Sequence, residues 1–262
     1  MPKTYTMDEL FCSDWKRMDS ATACTVVSLY DKYQRLKRIG SGKRIKVMAE
    51  LLKNLCWRPK ILRKLSHMQL LDVFADLEDE LLKKEFYHFH HHQIMVARKI
   101  WQAPEPKLTD CTLEQIVWCD TYLSRLQVAA FKKQEDQARK NAQKFLSCLY
   151  CPVVDGKKKL FDPAQIVQFE DMDPDADVLA LALVAFGYSM KFFEHAAPYL
   201  FPPSKERLQQ ATPADRGKIW EDLLYSAAEL EVFGTVQQVA KVNVYTVLRY
   251  FNRKIKTEKQ KR

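Results

Sequence analysis

Four histidines, His88, His90, His91 and His92, stand almost side by side, and neutral imidazole nitrogens bind zinc, nickel or copper. Adjacent histidines project in different directions, however, and no cysteine or carboxylate stands at ligand spacing beside them, so an exposed or interface segment is expected rather than a metal centre. Cys148 and Cys151 form a C-x-x-C, a spacing that serves redox chemistry or supplies half of a zinc site. It lacks a second pair and falls at a predicted helix end rather than after a strand, which points to two thiols on an apolar helical face. Asp72, Asp76, Asp79 and Glu80 stack carboxylates along one face of a predicted helix. A carboxylate metal site needs matching Glu-x-x-His ligands from another helix, and without them the expectation is a solvated acidic face. No phosphate-cradling glycine loop, no H-E-x-x-H and no G-x-S-x-G is present. No catalytic residue, no metal and no cofactor is expected, and the chain is expected not to be an enzyme.

What remains is charge. The chain of 262 residues carries a net charge of +9, and the segment 32–64 alone holds 12 Lys and Arg against the single acid Glu50. Arg35, Lys37, Arg38, Lys43, Arg44 and Lys46 surround a glycine-containing turn, and two helices joined in that way can dock on phosphates or on an acidic protein. A second concentration lies in the last helix and tail, where Arg249, Arg253, Lys254, Lys256, Lys259, Lys261 and Arg262 face only Glu258. The candidate anion- or partner-binding residues are therefore Arg35, Lys37, Arg38, Lys43, Arg44, Lys46, Arg253, Lys254 and Lys256.

The elements that position these residues read as helices. Hydrophobic residues make up 47% of the chain and charged residues 29%, a globular balance, while only six glycines are too few for the turns of a sandwich or barrel. Ser20 is expected to cap a helix to about Arg38, with Val26, Val27, Tyr30, Tyr33 and Leu36 on one face, ended by Gly40-Ser41-Gly42. Ile45, Met48, Leu51, Leu52 and Leu55 recur at helical spacing before Pro59. Ser66 to Gln69 and Thr112 to Gln115 have capping-box spacing. Segment 86–101 shows no clean period, and Pro104 and Pro106 mark an expected linker. Asp162-Pro163, Asp173-Pro174 and Thr212-Pro213 read as helix starts, and Asn243 as the cap of a last helix through Val244, Val247, Leu248 and Phe251. The expected fold is all-α, an irregular multi-helix bundle dividing into two packed helical subdomains, a basic one over 1–105 and a second over 106–262.

The apolar run from Val178 to Met190 is shorter than the roughly 20 residues of a membrane span and reads as a core helix, so no membrane partner is expected. The N-terminus lacks a secretory pattern. Seven scattered cysteines form no disulfide framework and read as reduced thiols of a cytosolic protein.

Several passages carry a resemblance: Phe74-Ala75-Asp76-Leu77 leading into Glu85-Phe86-Tyr87; Leu108-Thr109-Asp110-Cys111-Thr112-Leu113-Glu114-Gln115-Ile116 followed by Asp120; Phe145-Leu146-Ser147-Cys148-Leu149-Tyr150; and Trp220 through Phe233-Gly234 to Val247-Leu248-Arg249-Tyr250. In these the chain resembles a family of structural or assembly proteins encoded among the tail genes of phages and prophages of Bacteroides-like bacteria. The resemblance implies a non-enzymatic protein that binds other phage tail proteins, as an assembly chaperone or a minor virion component, in the cytoplasm of the bacterial host. It carries over no catalytic residue. The basic run before Leu65 departs from the family pattern and leaves room for nucleic acid or an acidic protein as partner.

Overall fold

Amphipathic stripes decide which helical faces go inside. The computed structural model describes residues 11, 18–56, 59–62, 65, 67–78, 88–169, 175–201 and 213–260. Helix α1 (Ser20–Arg38) buries Ala23, Val26, Leu29, Tyr30 and Tyr33, while Val27 and Leu36 are only half-buried. Its cap is Asp19 rather than Ser20: the Asp19 carboxylate accepts from the Thr22 N–H at 2.8 Å and from the Thr22 hydroxyl at 2.6 Å, which holds its carboxyl below the usual value. After the Gly40 turn, α2 (Arg44–Leu55) buries Val47, Met48, Leu51, Leu52 and Leu55, with Ile45 left outside. A short α3 (Pro59–Leu62) and α4 (His67–Leu77) follow. Ser66, Asp79, Glu80, Asp173 and Thr212, to which the sequence assigned roles, lie outside the described residues.

By contact the chain divides into two units, one of Met1–His90 with Ala176–Ala185, the other of His91–Asp175 with Phe186–Arg262. In the first, α1 and α4 pack on α2 or on each other through rings and aliphatics, Tyr33 meeting Phe74 edge-on at 4.8 Å.

The second unit is built on α5 (Leu113–Phe131), α6 (Glu135–Leu149), α8 (Pro213–Glu229), the short α9 (Val236–Ala240) and α10 (Val244–Gln260). Helix α5 is its centre, packed against α6 and α8. Thr112 caps it, accepting from the Gln115 N–H at 3.2 Å, but the Gln115 side chain does not complete a capping box. It runs instead to the end of α6, donating to the carbonyls of Cys148 and Leu149 at 2.9 and 3.2 Å. Gln165, on a 3-10 helix (Pro163–Phe169), donates there to the carbonyls of Ser147 and Tyr150 at 2.6 and 3.0 Å. The two amides thus satisfy buried acceptors that a helix C-terminus leaves without intrahelical donors.

Beside these helices lies a small antiparallel sheet, ordered β1 (Gln93–Val96), β2 (Lys99–Gln102), β3 (Cys151–Val154) and β4 (Lys157–Lys158). Among the described residues the fold is therefore mostly helical with four strands, and the all-α expectation is corrected to that extent. Trp101, buried, pairs with Pro152, and Gln102 with Cys151. Ala97 and Arg98 turn the first hairpin with φ of 48° and 63°, and Asp155 and Gly156 turn the second with φ of 52° and 71°; paired positive φ angles match the twist of two antiparallel strands. The stretch expected to be a linker is packed within this unit, with Ala103, Pro104 and Leu108 buried. Lys158 fixes it, donating to the Ala103 carbonyl at 2.9 Å and to Asp110 at 2.6 Å, while Asp110 accepts the Glu105 N–H at 2.8 Å.

Asn243 caps α10 as expected, accepting from the Tyr245 N–H at 3.0 Å, and its amide also donates to the Thr109 carbonyl at 2.8 Å. Gly234 precedes α9 with a φ of 89°, and a Cβ there would run into the Gln238 side chain that closes the Thr235 capping box. The apolar run grew into α7 (Ala176–Ala196), 21 residues, long and apolar enough by length and composition to cross a membrane. Its residues Val178, Leu181, Ala182, Ala185, Phe186 and Phe193 are buried in the fold; Phe186 meets Phe145 edge-on at 5.4 Å and Phe193 meets Trp220 at 5.7 Å.

Candidate functional site

The α1–α2 turn brings six of the nine sequence-selected cations together, but does not leave all six available. Arg35 is paired with Asp31 one turn before it. Lys37 reaches the carboxylate of Glu78 at 3.3 Å, a buried acid just after α4 that also accepts from the Gln34 amide at 2.7 Å and the Tyr30 hydroxyl at 3.2 Å. The sequence reading passed over both acids. Asp31 was detectable as the i−4 partner of Arg35, whereas Glu78 carries no local signal, because its partners lie more than forty residues away. Asp72 and Asp76 are exposed, as a solvated face requires.

Lys37 is half-exposed, so its pair with Glu78 is screened by water. We expect Lys37→Met to cost less than about 1 kcal/mol and Glu78→Leu about 2 kcal/mol, since the latter leaves the Gln34 and Tyr30 donors without their acceptor. Urea denaturation of the two variants checks the order; a larger loss for Lys37→Met would contradict it.

Arg38, Lys43, Arg44 and Lys46 remain exposed and form no ion pair with a described residue. Arg38 sits at the C-terminal end of α1, where the partial negative charge of the helix favours a cation. Lys43, Arg44 and Lys46 sit at the opposite kind of end. The first turn of α2 holds no acid, and no side chain caps it, so three cations face a partial positive charge that an anion would relieve.

In the second unit, α10 buries Val244, Val247, Leu248 and Phe251 on one side. Lys256 and Lys259 lie over the Tyr199 ring at 5.9 and 6.0 Å. Arg253 and Lys254, with Arg249, Tyr250, Phe233 and Glu258 among others, line a groove of about 780 Å³. Lys256, the remaining sequence-selected cation of this helix, is not among its lining residues. Tyr250 and Phe233 were missed as candidates. The available signal was an aromatic residue on the basic rather than the apolar face of the last helix.

The other chemistry-bearing residues serve the fold. The His90 ring bonds the Met18 carbonyl at 2.8 Å, and the backbone carbonyls of His91 and His92 accept from the Tyr150 hydroxyl and the Ala103 N–H at 2.9 and 2.8 Å. Cys111, Cys119, Cys148 and Cys151 are buried free thiols. Burial pushes the Cys151 thiol up to about 11, outweighing the pull of the Lys158 ammonium, and raises Cys111 and Cys119 as well. Thiols held protonated are poor nucleophiles and poor metal ligands. Among the described residues no group of three or more His, Cys, Asp or Glu side chains is placed to hold a metal ion. No protein-family model, curated protein or solved structure matches the chain.

Proposed function

We propose that the chain is a non-enzymatic binding protein that engages acidic surfaces of other proteins, and, following its resemblance to tail-region proteins, that these partners are phage tail components met in the host cytoplasm or in the virion. One observation carries the reading: Arg38, Lys43, Arg44 and Lys46 crowd a single exposed turn and form no ion pair with a described residue. Of the acids near them Asp31 is committed to Arg35 and Glu78 to Lys37, which leaves Glu50, one turn beyond Lys46, against four cations, so a net positive charge is available for an external anion. Phage-infected or prophage-induced cells supply the test. The chain is expected to co-purify with tail components at low salt and to lose them when Arg38, Lys43, Arg44 and Lys46 are all changed to Gln. Recovery of the chain alone at low salt would sink the reading.

A second reading, a nucleic-acid-binding module, draws on the same cations and the unbalanced first turn of α2. It predicts an affinity whose salt slope falls by about one for each phosphate-contacting cation removed. An unchanged slope in the four-residue variant would remove it.

A further inference from the structure

The outward side of α10 carries a recess that the core does not use. Arg249 and Arg253 project from the side of the helix away from its buried Val244, Val247, Leu248 and Phe251, while Tyr250, edge-on to Phe251 at 5.4 Å, and the half-buried Lys254 lie on its flank. We propose that this groove docks an acidic peptide segment of a partner protein, seating one bulky apolar side chain against Phe233 and Tyr250 and its carboxylates on Arg249, Arg253 and Lys254. The proposal rests on the reading above, that the chain works by binding acidic proteins, and names the segment that one of its faces accepts.

Three observations select this occupant. The groove wall holds three cations against the single acid Glu258, and none of the three forms an ion pair with a described residue. Lys256 and Lys259 on the same helix are by contrast engaged over Tyr199. Arg249 and Arg253 stand one helical turn apart, the spacing at which carboxylates recur along an acidic amphipathic helix. The two rings meet nearly at right angles, 78° with centroids 5.5 Å apart. Both rings line the groove, and an aliphatic or aromatic side chain of the occupant would pack against them. Successive nucleic-acid bases need open ring faces on which to stack, so the geometry favours a peptide. The volume of about 780 Å³ lies within the roughly 300–1,000 Å³ of small-ligand pockets.

The test measures fluorescence anisotropy on the full chain with three labelled probes: an acidic helical peptide with glutamates four apart and one leucine, the same peptide with serine for leucine, and a short oligothymidylate of equal charge. The leucine peptide is expected to bind most tightly, with about a tenfold loss when the leucine is removed, as burial of one aliphatic side chain implies. The Arg249→Gln, Arg253→Gln pair should weaken it about tenfold or more, and these side chains are exposed, so folding is preserved. Phe233→Ser should erase the advantage of the leucine; circular dichroism establishes that this half-buried position tolerates the change, and the arginine pair decides the matter if it does not. Equal binding of the serine peptide, preference for the oligothymidylate, or indifference to the arginine pair would each overturn the proposal. A parallel variant with Arg38, Lys43, Arg44 and Lys46 changed to Gln separates the two readings. If that variant alone loses the peptide, the groove proposal fails and the protein-binding reading stands. If no peptide binds and the oligothymidylate does, both fail.

Discussion

Gln165→Leu is expected to destabilise the second unit by about 2–4 kcal/mol, and the Gln115→Leu, Gln165→Leu double variant to leave it unfolded or molten at room temperature. Gln115 and Gln165 are 3% and 4% exposed, and the carbonyls they serve belong to Ser147, Cys148, Leu149 and Tyr150, all buried. Water has no access to replace either donor. Leucine conserves most of the volume, so the loss reports the orphaned acceptors, each worth about 1–3 kcal/mol when buried. The acceptors also sit at the negative end of α6, where an N–H donor is doubly favoured. Gln→Glu is expected to be worse than Gln→Leu at pH 7, because a carboxylate has no proton to donate and would face carbonyl oxygens; lowering the pH to protonate it should recover part of the loss. Urea denaturation followed by tryptophan fluorescence measures all three changes. Single variants within about 0.5 kcal/mol of the parent would show that these bonds do not hold the end of α6.

The same two glutamines mark where sequence reading stops. Helical spacing located the helices and most of their buried faces, because periodicity is a local consequence of 3.6 residues per turn. The partner of a side chain is not local. Thr112 and Gln115 have the spacing of a capping box, and its backbone half forms, yet the Gln115 amide is drawn to an end of α6 more than thirty residues away. The first hairpin was illegible for a related reason. Its turn residues, Ala97 and Arg98, take positive φ without being the Asn or Gly that advertises such a turn, and β2 finds its second neighbour only in β3. The second hairpin did carry the Asp155-Gly156 signal, but with strands of four and two residues it showed too little alternation to be read. Of the candidate site, the positions of the cations were legible and their availability was not. Arg35 has its acid one turn away in the sequence, but nothing short of the fold distinguishes Lys37, given Glu78, from Arg38, Lys43, Arg44 and Lys46, which form no ion pair with a described residue.

Raising the pH above about 9 is expected to unfold the second unit progressively, and native-state thiol labelling at pH 8 to leave its cysteines almost unreactive. Both outcomes follow from burial. The Cys151 thiol is held up to about 11 against a reference of 9.0, and the thiols of Cys111 and Cys119 and the phenol of Tyr150 are raised as well, with desolvation the largest cause in each. Between pH 9 and 11 the unfolded chain releases these protons while the folded chain keeps them. The unfolded state then binds fewer protons, so stability falls as pH rises. The contribution is fully present below pH 9 and, for Cys151 alone, about 2 kcal/mol is lost by pH 11. Replacing Cys151 with Ala removes its share of the alkaline slope, which separates this thiol from the phenols. An aromatic disulfide reagent at pH 8 should modify Cys24, which is half-buried, well before Cys111, Cys119, Cys148 or Cys151. The slow phase should accelerate with urea, because each buried thiol must wait for an opening that exposes it. Rapid labelling of all four without denaturant, or a stability flat from pH 7 to 11, would contradict a core built around buried thiols and would return the C-x-x-C pair to consideration as chemistry rather than packing.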